Sequence, residues 1–291
     1  MLIDAGLTET VLYGFTSSAN LNPFSEISQN PVNITNPLSA DHAVMCTTLL
    51  PGLLDACKFN ASRQCTDCRL FALQNVFGTE RETKLVAGVL MGKRFPSGWE
   101  RAKELVDFYD AKGVVEAVFK TLKIEDDVSF SGDGNLSFMH PGSFANILVK
   151  NEKVGFVGGL HPNVAAIWDL KQEVFIFEID FEKIAKLSKD RILKYCVYSK
   201  FPFVERDFAF LVSNNLQIGD IKDALVNVEN VVKVRVFDVY KGKGVPEGKK
   251  SLAINVRFSR NDRTLEDDEV NRAHEKIVGI LQKDFGAELR T

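Results

Sequence analysis

The stretch Val231–Ser259, VVKVRVFDVYKGKGVPEGKKSLAINVRFS, decides the fold of the C-terminal part of this chain. It reads as two β-strands joined by a basic, glycine-rich loop. Val231–Tyr240 alternates Val232, Val234, Val236 and Asp238 on one face with Lys233, Arg235, Phe237 and Val239 on the other. That period of two marks a half-buried strand. Leu252–Ser259 sets Leu252, Ile254, Val256 and Phe258 against Ala253, Asn255, Arg257 and Ser259. Between them, Lys241–Lys250 holds Gly242, Gly244, Pro246 and Gly248, residues that interrupt strands. From Lys233 to Arg263 there are nine Lys or Arg against Asp238, Glu247 and Asp262. Tyr240 stands at the strand end beside these charges. A basic hairpin with a ring at its edge suits RNA, and a merely solvated hairpin would carry the same charges.

Working outward, Arg206–Val212 reads as a strand, Ile218–Val228 as a helix, Thr264–Phe285 as a helix and Ala287–Arg290 as a last strand. The order is βαββαβ, the ferredoxin-like split unit, with both helices behind one four-stranded sheet. Thr264, followed by Glu266, Asp267, Asp268 and Glu269, is expected to cap the long helix. The sheet face opposite the helices is left open, and RNA-recognition modules stack bases on such a face.

The upstream half predicts a different domain. Leu2–Leu7 reads as a short helix, Val11–Thr16 as a strand and Val32–Ser39 as a short strand ending in an Asn-Pro turn. Thr48–Asn60 is a helix with Leu49, Leu50, Leu53, Leu54 and Cys57 on one face and Pro51 near its start. Cys68–Phe77 and Lys84–Leu90 are strands. Glu104–Lys123 is a helix with Phe108, Ala111, Val115, Val118, Phe119 and Leu122 in 3.6-residue phase, Gly113 serving as a close-packing point. Phe144–Val149 and Val154–Gly159 form a hairpin across Lys150–Lys153, Pro162–Leu170 is a helix, and Val174–Asp180 is a strand buried on both faces. Two domains are therefore expected, 1–190 and 198–291, divided near the lysine-rich link Lys186–Lys194.

With 45% apolar and 26% charged residues and a net charge of −3, the 291-residue chain is an ordinary globular protein. Nucleic-acid contact must come from a local patch. No apolar run approaches membrane-spanning length, and MLIDAGLTETV lacks a signal-peptide pattern. It opens directly into patterned sequence, which predicts a chain cut from something longer. Five cysteines, an odd number, are expected as reduced thiols in a cytoplasmic protein. Cys65-Thr66-Asp67-Cys68 lacks the second pair of ligands that a zinc site needs, so no metal site is expected.

The words and their order resemble a known family. Ser199-Lys200-Phe201-Pro202, Glu205-Arg206-Asp207, Phe237-Asp238-Val239-Tyr240, Pro246–Leu252 and Arg263-Thr264-Leu265 look like the ferredoxin-fold anticodon-binding domain that closes the bacterial phenylalanyl-tRNA synthetase β subunit. Asn36-Pro37-Leu38-Ser39, Leu49–Leu54, Val106–Gly113, His140-Pro141-Gly142 and Gly159-Leu160-His161-Pro162 resemble its catalytic-like domain. The resemblance covers essentially the whole chain. It implies an α+β protein: a class II synthetase-like antiparallel-sheet domain, then the ferredoxin-like one. The family's upstream modules are not in this sequence, so it looks like the C-terminal part of that subunit. Cys46 stands where the family's arginine is expected.

The resemblance further implies a non-catalytic chain that docks a catalytic α subunit, in a heterotetramer of two α and two β, and binds the anticodon of tRNA-Phe. Catalytic residues are expected to be none. The complete enzyme would use ATP and magnesium, neither held by this chain. An ATP site of class II would need an arginine in motif two and another after a glycine-rich motif three, to offset phosphate charge. Arg81 only superficially fits the first, and Gly155–Gly159 is followed by Leu160-His161-Pro162 without an arginine. His140 and His161 read as turn residues, Trp99 and Trp168 as packing residues. For tRNA, the resemblance points to Tyr240 for stacking, Asp238 and Ser251 for base edges, and Lys241, Lys243, Lys249, Lys250 and Arg257 for phosphates. The rival readings are an autonomous class II-like nucleotide-binding enzyme and a protein-interaction fragment without RNA contact.

Overall fold

The computed structural model describes all residues except 29, 97, 100–103, 135, 190–194, 196–198 and 290–291. Packing divides the chain into two units, Met1–Leu193 and Lys194–Thr291. Cys196 and most of the expected link lie outside the described residues.

In the first unit the strands are β1 (Thr8–Glu9), β2 (Phe15–Thr16), β3 (Val44–Met45), β4 (Cys68–Phe77), β5 (Glu82–Met91), β6 (Val128–Ser131), β7 (Met139–Val149), β8 (Glu152–Leu160) and β9 (Val174–Asp180). The helices are α1 (Ser18–Leu21), α2 (Leu50–Ala61), α3 (Phe108–Thr121), α4 (Pro162–Ile167) and α5 (Phe181–Ser188). Seven strands form one sheet in the order β1-β4-β5-β9-β8-β7-β6, and β2 pairs with β3 apart from it. Every neighbouring pair is antiparallel except β1 with β4.

The period of two sorts the apolar side chains of the central strands onto both faces. Val86 and Leu90 of β5 and Phe175, Phe177 and Ile179 of β9 join the core of α3 and α5. Ala87, Val89, Val174 and Ile176 join the core of α2 with Trp168. The leucines of α2 and Ala111, Val115, Val118 and Phe119 of α3 are buried as their spacing predicts, with Phe108 and Leu122 partly buried at the helix ends. Lys186 belongs to α5 rather than to a link.

Several elements differ from the sequence reading. Residues 2–6 form turns, not a helix. Only Phe15–Thr16 of the expected strand Val11–Thr16 pairs with a strand, because Gln74 takes up the backbone of Leu12 with both ends of its amide, at 2.8 and 3.0 Å. Residues 32–39 make no strand. The isolated bridges there are Pro31 to Gly78 and Asn33 to Val44. Helix α3 begins at Phe108 because Asp107 and Asp110 cap each other's backbone. A Cβ on Gly113 would meet nothing within 4 Å, so that glycine marks no close packing. Trp99 is exposed, whereas Trp168 is buried as expected.

The second unit follows the order read from its sequence: β10 (Val204–Ser213), α6 (Ile218–Val226), β11 (Val231–Tyr240), β12 (Lys249–Phe258), α7 (Asp267–Phe285) and β13 (Glu288–Leu289). Its sheet runs β11-β12-β10-β13. Phe208, Phe210, Leu252, Ile254 and Val256 pack against Ile221 and Leu225 of α6 and Ile277 and Leu281 of α7. Thr264 does not cap α7. The helix starts at Asp267, where the Glu269 carboxylate accepts from Glu266 N–H at 3.1 Å and is held by Arg263 and Arg260.

Candidate nucleic-acid interface

Register settles which residues share the open face of the second sheet. On β12, Leu252, Ile254 and Val256 face the helices, so Ser251, Ala253, Asn255 and Arg257 face away. The partners of these four on β11 are Tyr240, Asp238, Arg235 and Lys233 respectively. Even and odd positions of β11 therefore meet on one face. The cause is a register shift between Val236 and Asp238, with another between Val231 and Lys233, each inserting a residue into the strand. The simple alternation that grouped Asp238 with the valines is overturned there. Lys233 and Arg235, which sequence alternation set on the opposite face from Asp238, join it and Tyr240.

Tyr240 is 41% exposed, on a strand at the sheet edge. The hydroxyl end of its ring abuts Gly242, where an added Cβ would come within 2.6 Å of the phenolic oxygen. Its hydroxyl donates to Lys243 O at 3.4 Å. The glycine lets the basic loop fold onto the ring's edge, and this brings Lys241 and Lys243 close to Tyr240. Gly244 and Gly248 at φ of 89° and 81° supply the left-handed corners of the loop. Lys241, Lys243, Lys233, Arg235 and Asp238 are solvent-exposed.

The other sequence-predicted residues are placed differently. Lys250 pairs with Val212 on the helix-covered side and is only 8% exposed. Its ammonium donates to the carbonyls of Asn214 at 3.1 Å and Leu216 at 2.7 Å, and burial, with the nearby charge of Lys241, pulls its pKa below the ordinary lysine value. It therefore ties down the end of β10 and is turned away from any phosphate on the open face. Ser251 lies beside Tyr240 on the open face but is 8% exposed. Lys249 is ion-paired with Glu288. Arg257 donates to Glu205 at 2.9 Å and sits 3.8 Å over the Phe203 ring, both on the open-face side. Asp207 accepts from Asn255 at 2.7 Å beside that pair. The centre of the face is thus internally neutralised, and its positive charge gathers along β11 and the following loop.

Among the described residues of the first unit, Arg81 and the glycines of β8 assemble no phosphate grip. Arg81 is exposed at the turn between β4 and β5. The strand–helix pair beside β5 is β9–α5, and residues 174–188 contain no arginine. Gly155 and Gly158 serve strand contact: a Cβ on either would stand 2.2 Å from Glu178 O or 2.3 Å from Ser143 O. His161 caps α4 by accepting from Asn163 N–H at 3.2 Å, and His140 accepts from Gly142 N–H at 3.1 Å. His161 thus sits at the turn into α4 as expected, whereas His140 lies within β7 and not in a turn. Cys65 is exposed and Cys68 buried, and among the described residues no three His, Cys, Asp or Glu side chains gather into a metal-binding group.

Comparison with known proteins agrees with this geometry. Residues 1–181 match the model of the phenylalanyl tRNA synthetase beta chain CLM domain, and residues 199–290 match the ferredoxin-fold anticodon binding domain. The phenylalanine–tRNA ligase beta subunit of Syntrophotalea carbinolica is 39% identical over all of this chain and 37% of its own length. Those of Geobacter sulfurreducens and Carboxydothermus hydrogenoformans are 37% and 33% identical, again over the whole chain and 38% of theirs. The chain thus spans a little over a third of the curated relatives it matches. Among solved structures, a pyrrolysyl-tRNA synthetase of Desulfitobacterium hafniense aligns over 67% of this chain and 70% of its own at TM-score 0.49 and 10% identity, a likeness too slight to carry any conclusion.

Proposed function

Because the chain belongs to the phenylalanyl-tRNA synthetase β-chain family, we propose that it binds the anticodon of tRNA-Phe and docks the catalytic α subunit, in an assembly of two α and two β chains that attaches phenylalanine to tRNA. The observation that carries the RNA part is the row Lys233, Arg235, Asp238 and Tyr240 on one exposed sheet face, with the helices confined to the other. Tyr240 offers a flat ring on which an unstacked base can lie, an interaction worth about 1–3 kcal/mol. The Asp238 carboxylate can accept from the amino edge of that base or its neighbour, which adds selectivity that phosphate contacts lack. Lys241 and Lys243 beside the ring, with Arg235 and Lys233 farther along β11 on the same face, hold the backbone. Lys249 and Arg257 can join them only by exchanging their present carboxylate partners.

ATP and magnesium are assigned to the α subunit, because Arg81 fits motif two only superficially and Gly155–Gly159 is followed by Leu160-His161-Pro162 without an arginine. A cytoplasmic location follows from this role, and no helix among the described residues is long and apolar enough to cross a membrane.

Phosphate contacts release counterions, so they are read directly from salt dependence. Lys233→Ala/Arg235→Ala is expected to weaken binding of any tRNA and to flatten the log–log salt slope by about 1.4, at roughly 0.7 per contact to single-stranded RNA. Filter binding at several salt concentrations measures this. An unchanged slope would remove β11 from the interface.

A further inference from the structure

Beside α2 the first unit has an open cavity of ≈480 Å³ that plays no part in the anticodon reading. Tyr13 and Phe15 form one wall, stacked at 5.3 Å with 18° between their planes. His42 meets Phe15 edge-on at 4.8 Å. Asp41 and Asp55 line the same cavity, together with Cys46, Gly52 and Trp168. The buried indole of Trp168 donates to Asp55 Oδ1 at 2.8 Å and so fixes the carboxylate's direction.

The charges are unbalanced. Lys58, the cation of the lining, is already paired with Asp169 at 2.7 Å. Asp55 is open to solvent on one side, and partial burial of the other pushes its carboxyl above the ordinary value against the opposing pull of the Trp168 bond and the Lys58 charge, with the charge of Asp41 adding to the rise. A phosphate or a nucleic acid would be repelled here. A flat cation fits: it can face the Tyr13–Phe15 wall and present N–H groups to both carboxylates, the combination that guanidinium provides and ammonium does not.

The mouth identifies the source of that cation. Val11 is 92% exposed and Tyr13 77%, and Ile167 is exposed beside them. An acidic pocket ringed by exposed apolar side chains is the form of a protein-interface anchor, in which the rim excludes water around one desolvated charged side chain. We propose that this cavity receives an arginine side chain of the partner protein, which on the docking reading above is the α subunit.

The test titrates α subunit from the same organism against the full chain. Asp41→Asn/Asp55→Asn keeps the shape, and an asparagine oxygen can still accept from Trp168, so the melting temperature should hold. Its affinity for α is expected to fall about thirty-fold or more, the cost of removing one side of a desolvated charge pair. Glu152→Gln/Glu182→Gln makes the same change of net charge elsewhere on the unit and should bind α as the wild type does. Undiminished binding by the first variant, or equal loss in both, overturns the arginine site while leaving docking intact. A wild-type chain that fails to bind α overturns the docking reading and the site with it.

Discussion

Glu178→Ala is expected to destabilise the first unit by about 3 kcal/mol or more, with loss of its cooperative unfolding near neutral pH. Glu178 is a buried carboxyl on β9, and its Oε2 accepts from the Thr48 hydroxyl at 2.6 Å and the Leu49 N–H at 2.9 Å. These donors stand at the start of α2, where the helix leaves N–H groups without partners. Alanine would strand both donors away from water and leave a cavity besides. Burial pushes the Glu178 carboxyl up to about 7 from 4.5, while the bonds from Thr48 and Leu49 pull it down. The folded state thus holds the proton more tightly than the unfolded chain does. Its contribution is complete below about pH 4.5 and is lost as pH rises through about 7. At ~1.4 kcal/mol per pH unit the difference amounts to ~3 kcal/mol. Glu178→Gln, neutral at every pH, should therefore lose less stability than the wild type between pH 5 and 8. Both tryptophans, Trp99 and Trp168, belong to this unit, so their fluorescence in urea reports it separately from the second. Parallel pH curves for wild type and glutamine would show that the carboxyl is ionised throughout.

The second large effect lies on the neighbouring strand. Gly155→Ala is expected to cost about 3 kcal/mol or more, because its Cβ would stand 2.2 Å from the carbonyl oxygen of Glu178 and 2.9 Å from Ile179 Cα. Both obstacles are backbone of the central strand β9, which has helices on either side and cannot move aside without disturbing both cores. Gly113→Ala makes the opposite prediction. That glycine is inside α3 with open space around it, so alanine should stabilise the unit by up to ~1 kcal/mol through helix propensity. Urea midpoints followed by tryptophan fluorescence compare the two. A Gly155→Ala chain as stable as the wild type would contradict the close approach of β8 to β9.

Local patterns account for what the sequence made legible. The 3.6 period of α2 and α3 and the apolar run Val174–Phe177 of β9 reflect burial, and burial is written in side-chain type. The order of elements in the second unit was readable because its strands and helices differ in period and most are separated by Gly, Pro or Asn. The face of Asp238 was not, because a bulge shifts all later side chains without any distinctive residue at Val236–Asp238. Lys250 was misplaced for a related reason. β12 begins at Lys249, so Lys250 falls in phase with Leu252 and Ile254 and is drawn under the sheet, where the carbonyls of Asn214 and Leu216 satisfy it. The Leu12–Gln74 pairing joins residues 62 apart and leaves no local trace. The acidic cavity is likewise assembled from four separate stretches, none of them a motif.

The most direct test of the central claim is the affinity of this chain for tRNA-Phe and for the same tRNA with an exchanged anticodon, measured with wild type and Tyr240→Ala at fixed salt. The wild type is expected to prefer the cognate anticodon. Tyr240→Ala should lose about 5- to 150-fold on the cognate RNA, equivalent to ~1–3 kcal/mol of stacking, and little on the exchanged one. Equal losses on both RNAs, or no preference in the wild type, would contradict a sheet face that reads the anticodon.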